Sequence, residues 1–358
     1  MMALNGFEGL SAGSRTAKVL ARSIVLLTLF VSAPAGAQEK DQRDIYIPTT
    51  ISREAQEVMK ELGNDSINDN TLPGPDDLEA WRKAYDRFEA VGRENYDEIV
   101  SRNGVIATEA ELGGVPVLDI RPRDWKDSGK VLVYTHGGAY TLFSARSTVS
   151  ISAPMSKATG LRVIAVDYTT APFANWKEIQ EQVITVFKAL LEEGYTMEDI
   201  AIFGDSAGGG LAISTVLNLR DRGMGMPAAI VLLSPWADLN NIGDTAYTLK
   251  EADPTLVYTP SLGNSALAYA DGLDLSDPRV SPLYADLKKG FPPSLITEGT
   301  KCIFLSTSVR LYQALEAAGH KTKLDVYEGM WHVFQVYPIP ESEVAILRSA
   351  KFINEHLE

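Results

Sequence analysis

From residue 105 onward, short runs of β-branched and apolar residues alternate with longer amphipathic stretches. Eight such runs stand out: VIATEAEL, VPVLDIRP, VLVYTHGG, LRVIAVDY, IAIFGDS, AAIVLLSP, SLITEG and TKLDVYEG. Several are almost continuously apolar, which is the pattern of strands buried on both faces. Between them lie segments such as WKEIQEQVITVFKALLEEG, whose apolar positions recur every three to four residues and predict helices. The alternation predicts an α/β fold with a mostly parallel sheet of eight strands flanked by helices.

The pattern before residue 105 is different. SREAQEVMKELG (52–63) carries an N-cap serine, apolar positions at helical spacing and a glycine stop, and DDLEAWRKAYDRFEAVG (76–92) repeats that pattern beyond the loop NDNTLPGP. Two helices that precede every strand signal predict an accessory N-terminal helical cap region over 38–104, with the catalytic domain over 105–358. Within that domain, 239–282 lacks strand signals and is expected to form a helical insertion over the sheet. There is no internal repeat or low-complexity tract.

The first residues are patterned differently again. Arg15, Lys18 and Arg22 precede the apolar run IVLLTLFV, and Ala35 and Ala37 follow in the A-x-A spacing of a cleavage site, so 1–37 read as a signal peptide. Eight strongly apolar residues are too few to span a bilayer, which takes about 20. The expectation is an exported, periplasmic or secreted chain that begins at Gln38 and has no stable membrane span after cleavage. A single cysteine excludes an internal disulfide.

The whole chain carries a net charge of −14; residues 1–37 hold three positive charges and one negative, so the remainder carries −16. Such a balance disfavours nucleic acid and anionic membrane surfaces as partners. The partner expected is a small-molecule substrate, and a homodimer is compatible with the sequence.

The candidate chemistry begins where the strand IAIF runs into GDSAGGG. Ser206 sits between Gly204 and Gly208 in a G-x-S-x-G turn, with Asp205 beside it and the helical pattern LAISTVLNLRDRG after it. Flanking glycines let strand and helix approach closely, and the turn presents the hydroxyl at a helix N-terminus. A serine needs a base to take its proton, and the chain offers only His136, His320, His332 and His356. His320 and His356 read as surface residues, while His332, in DVYEGMWHVF, lies on a loop after the last strand, where a general base can swing over the sheet's carboxyl edge. His136 opens HGGAY at the end of another strand. The glycines behind it, Gly137 and Gly138, together with the backbone of Ala207, are the expected donors to a tetrahedral oxyanion.

Five ordered motifs, HGGAY, GDSAGG, LSPWADL, DPRVSPL and EGMWHVF, resemble those of the hormone-sensitive-lipase-like (bacterial family IV) esterases of the α/β-hydrolase superfamily. The likeness runs from about residue 105 to the C-terminus. It implies an α/β-hydrolase fold, a Ser-His-acid triad, a GGA-type oxyanion hole, and hydrolysis of carboxylic esters with no cofactor and no metal. Lactone hydrolysis, or non-catalytic binding of a small molecule on the same scaffold, are the alternatives.

One position departs from the family. Its acid falls in a stretch of the form LI-x-x-G-x-x-D, and SLITEGTKC places Gly299 on the glycine and Cys302 on the aspartate. A thiol, with a reference pKa of about 8.5 raised further by burial, cannot supply the charge that stabilises an imidazolium. The expectation is that another carboxylate orients His332. Glu298, four residues earlier on the same strand, is preferred, Asp325 on the neighbouring strand is next, and Glu328 and Asp238 follow. Cys302 itself reads as a small buried hydrophobe, with a redox switch as the alternative.

Overall fold

A computed structural model describes residues 45–64 and 71–357, so the leader and the expected start at Gln38 lie outside the described residues. All eight expected strands are present: β1 (Val105–Leu112), β2 (Val115–Pro122), β3 (Val131–Thr135), β4 (Arg162–Val166), β5 (Ile200–Asp205), β6 (Ala229–Leu233), β7 (Ser294–Gly299) and β8 (Thr322–Tyr327). They form one sheet in the order β1-β2-β4-β3-β5-β6-β7-β8. The pairs β1/β2 and β2/β4 are antiparallel, and from β4 to β8 the sheet is parallel. Strands β3, β4, β5 and β6 are buried along their whole length, as their unbroken apolar runs require.

Helices cover both faces: α1 (Arg53–Asn64), α2 (Leu78–Arg93), α3 (Tyr96–Asn103), α4 (Val149–Thr159), α5 (Trp176–Glu192), α6 (Ala207–Asp221), the single turn α7 (Thr245–Thr248), α8 (Gly263–Ala270), α9 (Leu305–Ala317) and α10 (Pro340–Asn354). On one face α5 and α6 bury Ile179, Val183, Phe187, Leu211 and Ile213 against Val133, Ile202 and Ile230. On the other, α4 and α10 bury Ile151, Met155, Phe352 and Ile353 against Leu132, Phe203 and Val231.

The helices expected before residue 105 form and are capped as their sequences suggest. Ser52 Oγ accepts the Ala55 N–H at 3.1 Å, and Asp77 Oδ1 accepts that of Ala80 at 3.0 Å. α3 was not anticipated; its eight residues are too short for the periodicity to register. The stretch 239–282 is less helical than expected. Besides α7, α8 and one wide turn over Tyr258–Leu262, it is irregular chain held by side chains.

The segment 45–64 is fastened to the far end of the domain. Ser52 donates from both N and Oγ to Glu341, Lys301 Nζ donates to Tyr46 O at 2.7 Å, and Thr50 Oγ1 donates to Glu328 at 2.8 Å. Ile51, Val58, Met59 and Leu62 form a small core with Trp331, Phe334 and Tyr337. The loop that carries His332 is thereby packed between the sheet and this segment.

Candidate active site

At the end of β5 the chain turns through Ser206 at φ 53°, ψ −123° directly into α6. A non-glycine residue in this region is strained, and such strain persists only where neighbours enforce it. The crowding is visible at the two flanking glycines. A Cβ on Gly208 would stand 2.0 Å from Thr135 O, and one on Gly204 would stand 2.4 Å from Gly208 O. β5, the turn and β3 therefore pack at a separation that only glycine permits, and the serine hydroxyl is carried to the carboxyl edge of the sheet.

His332 reaches the same edge from the loop after β8. Its Nε2 lies 2.9 Å from Ser206 Oγ across 126 residues of chain. The loop is tightly set. A Cβ on Gly299, at the end of β7, would meet Met330 O at 2.3 Å; Lys301 N donates to Met330 O, and Val333, at φ 45°, donates its N–H to Ser234 Oγ at 3.2 Å. Ser206 and His332 are both buried, and burial drives the His332 pKa down to about 3. The imidazole is neutral at rest, the form a general base needs.

What lies behind the imidazole differs from the expectation. The partner of His332 Nδ1 is Cys302 Sγ, at 3.3 Å. The tight turn after β7, closed by Cys302 N to Gly299 O, brings residue 302 beside the imidazole. Cys302 is thus a polar partner of the base as well as a buried side chain. Glu298 is fully buried, but its oxygens take the Gly299 N–H at 3.0 Å and the Ser308 hydroxyl at 2.7 Å, so it does not bond His332 directly. The side chain is turned toward Ser308 of α9. Asp325 does not approach the base either. It lies on edge strand β8, where it pairs with Arg348 of α10 at 2.9 Å and accepts from Tyr327. Glu328 is engaged with Thr50, and Asp238 with Arg310 and Tyr284.

The oxyanion loop calls for one correction. Gly137 N–H donates to Asp205 Oδ1 at 3.0 Å, so it cannot also point at a substrate oxygen. Asp205 takes the Tyr134 hydroxyl at 2.6 Å as well, and burial raises its pKa to about 6. The residue beside the nucleophile therefore pins the loop opposite. Beyond it Gly138, Ala139 and Tyr140 run at φ 107°, 54° and 64°, a succession of left-handed residues that turns backbone N–H groups to one side. The N–H groups of Gly138, Ala139 and Ala207 have no partner among the described residues. Ala207 N is also the first donor of a 15-residue helix, whose N-terminus favours negative charge. Ala139 escaped the sequence reading because nothing in HGGAY tells which two of three successive amides are free; the claim of Asp205 on the first decides it. His136 supports the loop from behind: its Nδ1 is 2.7 Å from Gly137 O, its ring stacks on Tyr168 with centroids 4.1 Å apart, and Tyr168 donates to its carbonyl.

These features agree with what similarity finds. The family model for the alpha/beta hydrolase fold matches residues 132–336. An esterase from the bacterial hormone-sensitive lipase family superposes with a TM-score of 0.71 at 27% identity, covering 97% of this chain and 100% of that one. This chain belongs to the hormone-sensitive-lipase-like esterases of the α/β-hydrolase fold. Esterase E25 is a nearer structural match, with a TM-score of 0.83 at 28% identity over 90% of this chain and 99% of that one. An acetyl-hydrolase of Streptomyces hygroscopicus is 32% identical over 299 residues, 83% of this chain and 95% of that protein. The protein is accordingly a serine carboxylic-ester hydrolase.

In this esterase the serine opens into a cavity of about 280 Å³. Its wall is largely apolar: Leu62, Leu72, Phe88 and Val91 come from the N-terminal region, Leu142 and Phe143 from the oxyanion loop, and Leu256 and Leu262 from the insertion. Both accessory segments anticipated from the sequence thus line the site. Among the described residues, no helix is long and apolar enough to cross a membrane.

Proposed function

We propose that this esterase hydrolyses short- to medium-chain carboxylic esters through an acyl-enzyme on Ser206, and that it works outside the cytoplasm after removal of residues 1–37. The observation that carries the first part is the 2.9 Å contact between His332 Nε2 and a serine held in the strained turn. His332 takes the Ser206 proton as Oγ bonds the ester carbon, and the oxygen that becomes negative is received by the free N–H groups of Gly138, Ala139 and Ala207. Collapse expels the alcohol, which leaves with the proton held on His332. Water then repeats the sequence on the acyl group and returns Ser206 to its starting state. A cavity of about 280 Å³ stands at the lower edge of small-molecule sites, which run ~300–1,000 Å³, and supports a short acyl chain. The acetyl-hydrolase relative is in keeping with that size.

Replacing Ser206 by alanine tests the nucleophile. Turnover of p-nitrophenyl butyrate should fall by about 10⁴-fold or more while the fold persists, and a folded Ser206→Ala protein with near-parental turnover would exclude the assignment. The export reading rests on the leader pattern Arg15–Arg22, IVLLTLFV and A-x-A. N-terminal sequencing of protein recovered from outside the cytoplasm should begin at Gln38, and finding 1–37 still attached would refute it.

A further inference from the structure

Beneath His332 lies a group of buried polar side chains that the ester chemistry above does not use: Glu298, Cys302, Ser234 and Ser308. Glu298 Oε1 takes the Gly299 N–H and Oε2 the Ser308 hydroxyl, and the Cys302 thiol and the Ser234 hydroxyl stand near enough to favour the charged form of the carboxylate. Groups of this kind suit the lone-pair sites of the carboxylate in its ionised form, which it reaches as pH rises through about 7. Two of them lead on toward the base, since Cys302 Sγ touches His332 Nδ1 and Ser234 Oγ receives the N–H of Val333.

A thiol has one proton. If that proton points at Glu298, sulfur presents a lone pair to His332, Nδ1 carries the ring hydrogen, and Nε2 is left bare facing Ser206 Oγ. If instead the thiol turns its proton to Nδ1, the ring hydrogen moves to Nε2, and His332 can no longer take the proton of Ser206. The direction of the S–H therefore selects the tautomer. The thiol must stay protonated to serve, and it does: burial and the charges of Glu298 and Asp253 push its pKa up. The Asp253 carboxylate is already held by the Ile303, Thr255 and Leu256 N–H groups.

We propose that Glu298 is a positioning residue that acts on His332 through the Cys302 thiol, fixing the imidazole in the tautomer able to accept the Ser206 proton, while Ser234 ties the same carboxylate to the backbone beside the base. The thiol keeps its proton throughout, and only the Ser206 proton travels, to Nε2 and on to the leaving alcohol. This rests on the assignment of Ser206 and His332 above. It replaces a directly bonded acid by a carboxylate one side chain removed.

The test compares Glu298→Gln, Cys302→Ser, Cys302→Ala and the double variant Glu298→Gln/Cys302→Ala, with kcat and KM for p-nitrophenyl butyrate and the ¹⁵N shifts of the His332 ring as readouts. Glu298→Gln should lower kcat roughly 10- to 100-fold, less than the ~10⁴ lost with a directly bonded acid, with KM within about threefold. The ring should shift toward the form protonated on Nε2. Cys302→Ser keeps a group that both donates and accepts and should stay within about fivefold of the parent, whereas Cys302→Ala should lose as much as Glu298→Gln. Adding Glu298→Gln to Cys302→Ala should then cost at least fivefold less than it does in the parent. An equal cost in both backgrounds with an unchanged tautomer would mean a merely structural carboxylate and overturn the proposal. So would Glu298→Gln within threefold of the parent. If Glu298→Gln fails to fold, equal kcat in Cys302→Ser and Cys302→Ala overturns it alone. A retained Ser206→Ala activity, by contrast, indicts the nucleophile and not this relay.

Discussion

Glu298 should make the protein less stable as pH rises, and replacing it by glutamine should reveal by how much. The carboxylate is fully buried, and desolvation raises its pKa from 4.5 to about 7, against the pull of the hydrogen bonds it accepts. The unfolded chain releases this proton near pH 4.5 and the folded chain only near pH 7. Between those values the native state binds more protons than the unfolded one, so this group's contribution to stability is fully present below about pH 4.5 and falls as pH rises through 7. Integrating between pH 5 and pH 8 gives roughly 2 to 3 kcal/mol. Glutamine does not titrate, so the stability of Glu298→Gln relative to the parent should improve by that amount from pH 5 to pH 8. Urea unfolding of both proteins at the two pH values measures it. Taking the difference between the two proteins cancels the other raised carboxylates, Asp205 and Asp253. A difference that stays constant within about 0.5 kcal/mol would refute the reasoning, because it would mean that Glu298 ionises in the folded protein as it does in water.

Gly137→Ala should damage turnover without touching the nucleophile: its Cβ would stand 2.3 Å from Asp205 Oδ2, the side chain that pins the oxyanion loop. A fall in kcat of roughly 10²- to 10³-fold at little-changed KM is expected, as for loss of an oxyanion donor, and a kcat within threefold of the parent would contradict it. Acyl length is checked with p-nitrophenyl esters. The acetate or butyrate should show a higher kcat/KM than the palmitate, since Leu62, Phe88 and Leu262 help to close a cavity of about 280 Å³; preference for the C16 ester would reverse that reading.

The fold was legible because its signals are local. Unbroken apolar runs such as AIVLL and VLVYT can be buried on both faces only in the middle of a parallel sheet, and each proved to be a central strand. Ser206 and His332 were legible for a similar reason, since a strand-turn-helix and a loop after the last strand fix where each side chain must emerge. The acid was not. Whether Glu298 reaches His332 depends on which way its side chain leaves β7 and on what Ser308 and Gly299 offer it, and neither shows in the spacing of SLITEGTKC. The motif spacing singled out Cys302, but a buried thiol's value as a hydrogen-bond partner comes from its neighbours. The oxyanion donors were misjudged by one residue for the same cause, a side chain from another strand, Asp205, that occupies Gly137. The irregular chain at 239–282 is held by contacts such as Asp253 to Ile303 that no periodicity encodes.

In the proposed mechanism Ser206 carries the acyl group. This is tested most directly by quenching the enzyme in acid within milliseconds of mixing it with p-nitrophenyl butyrate and measuring the mass of each proteolytic peptide. A butyryl adduct is expected on the peptide containing Ser206, absent in His332→Ala over the same interval. An adduct on another residue, or parental turnover with no adduct under conditions where deacylation limits the rate, would contradict it.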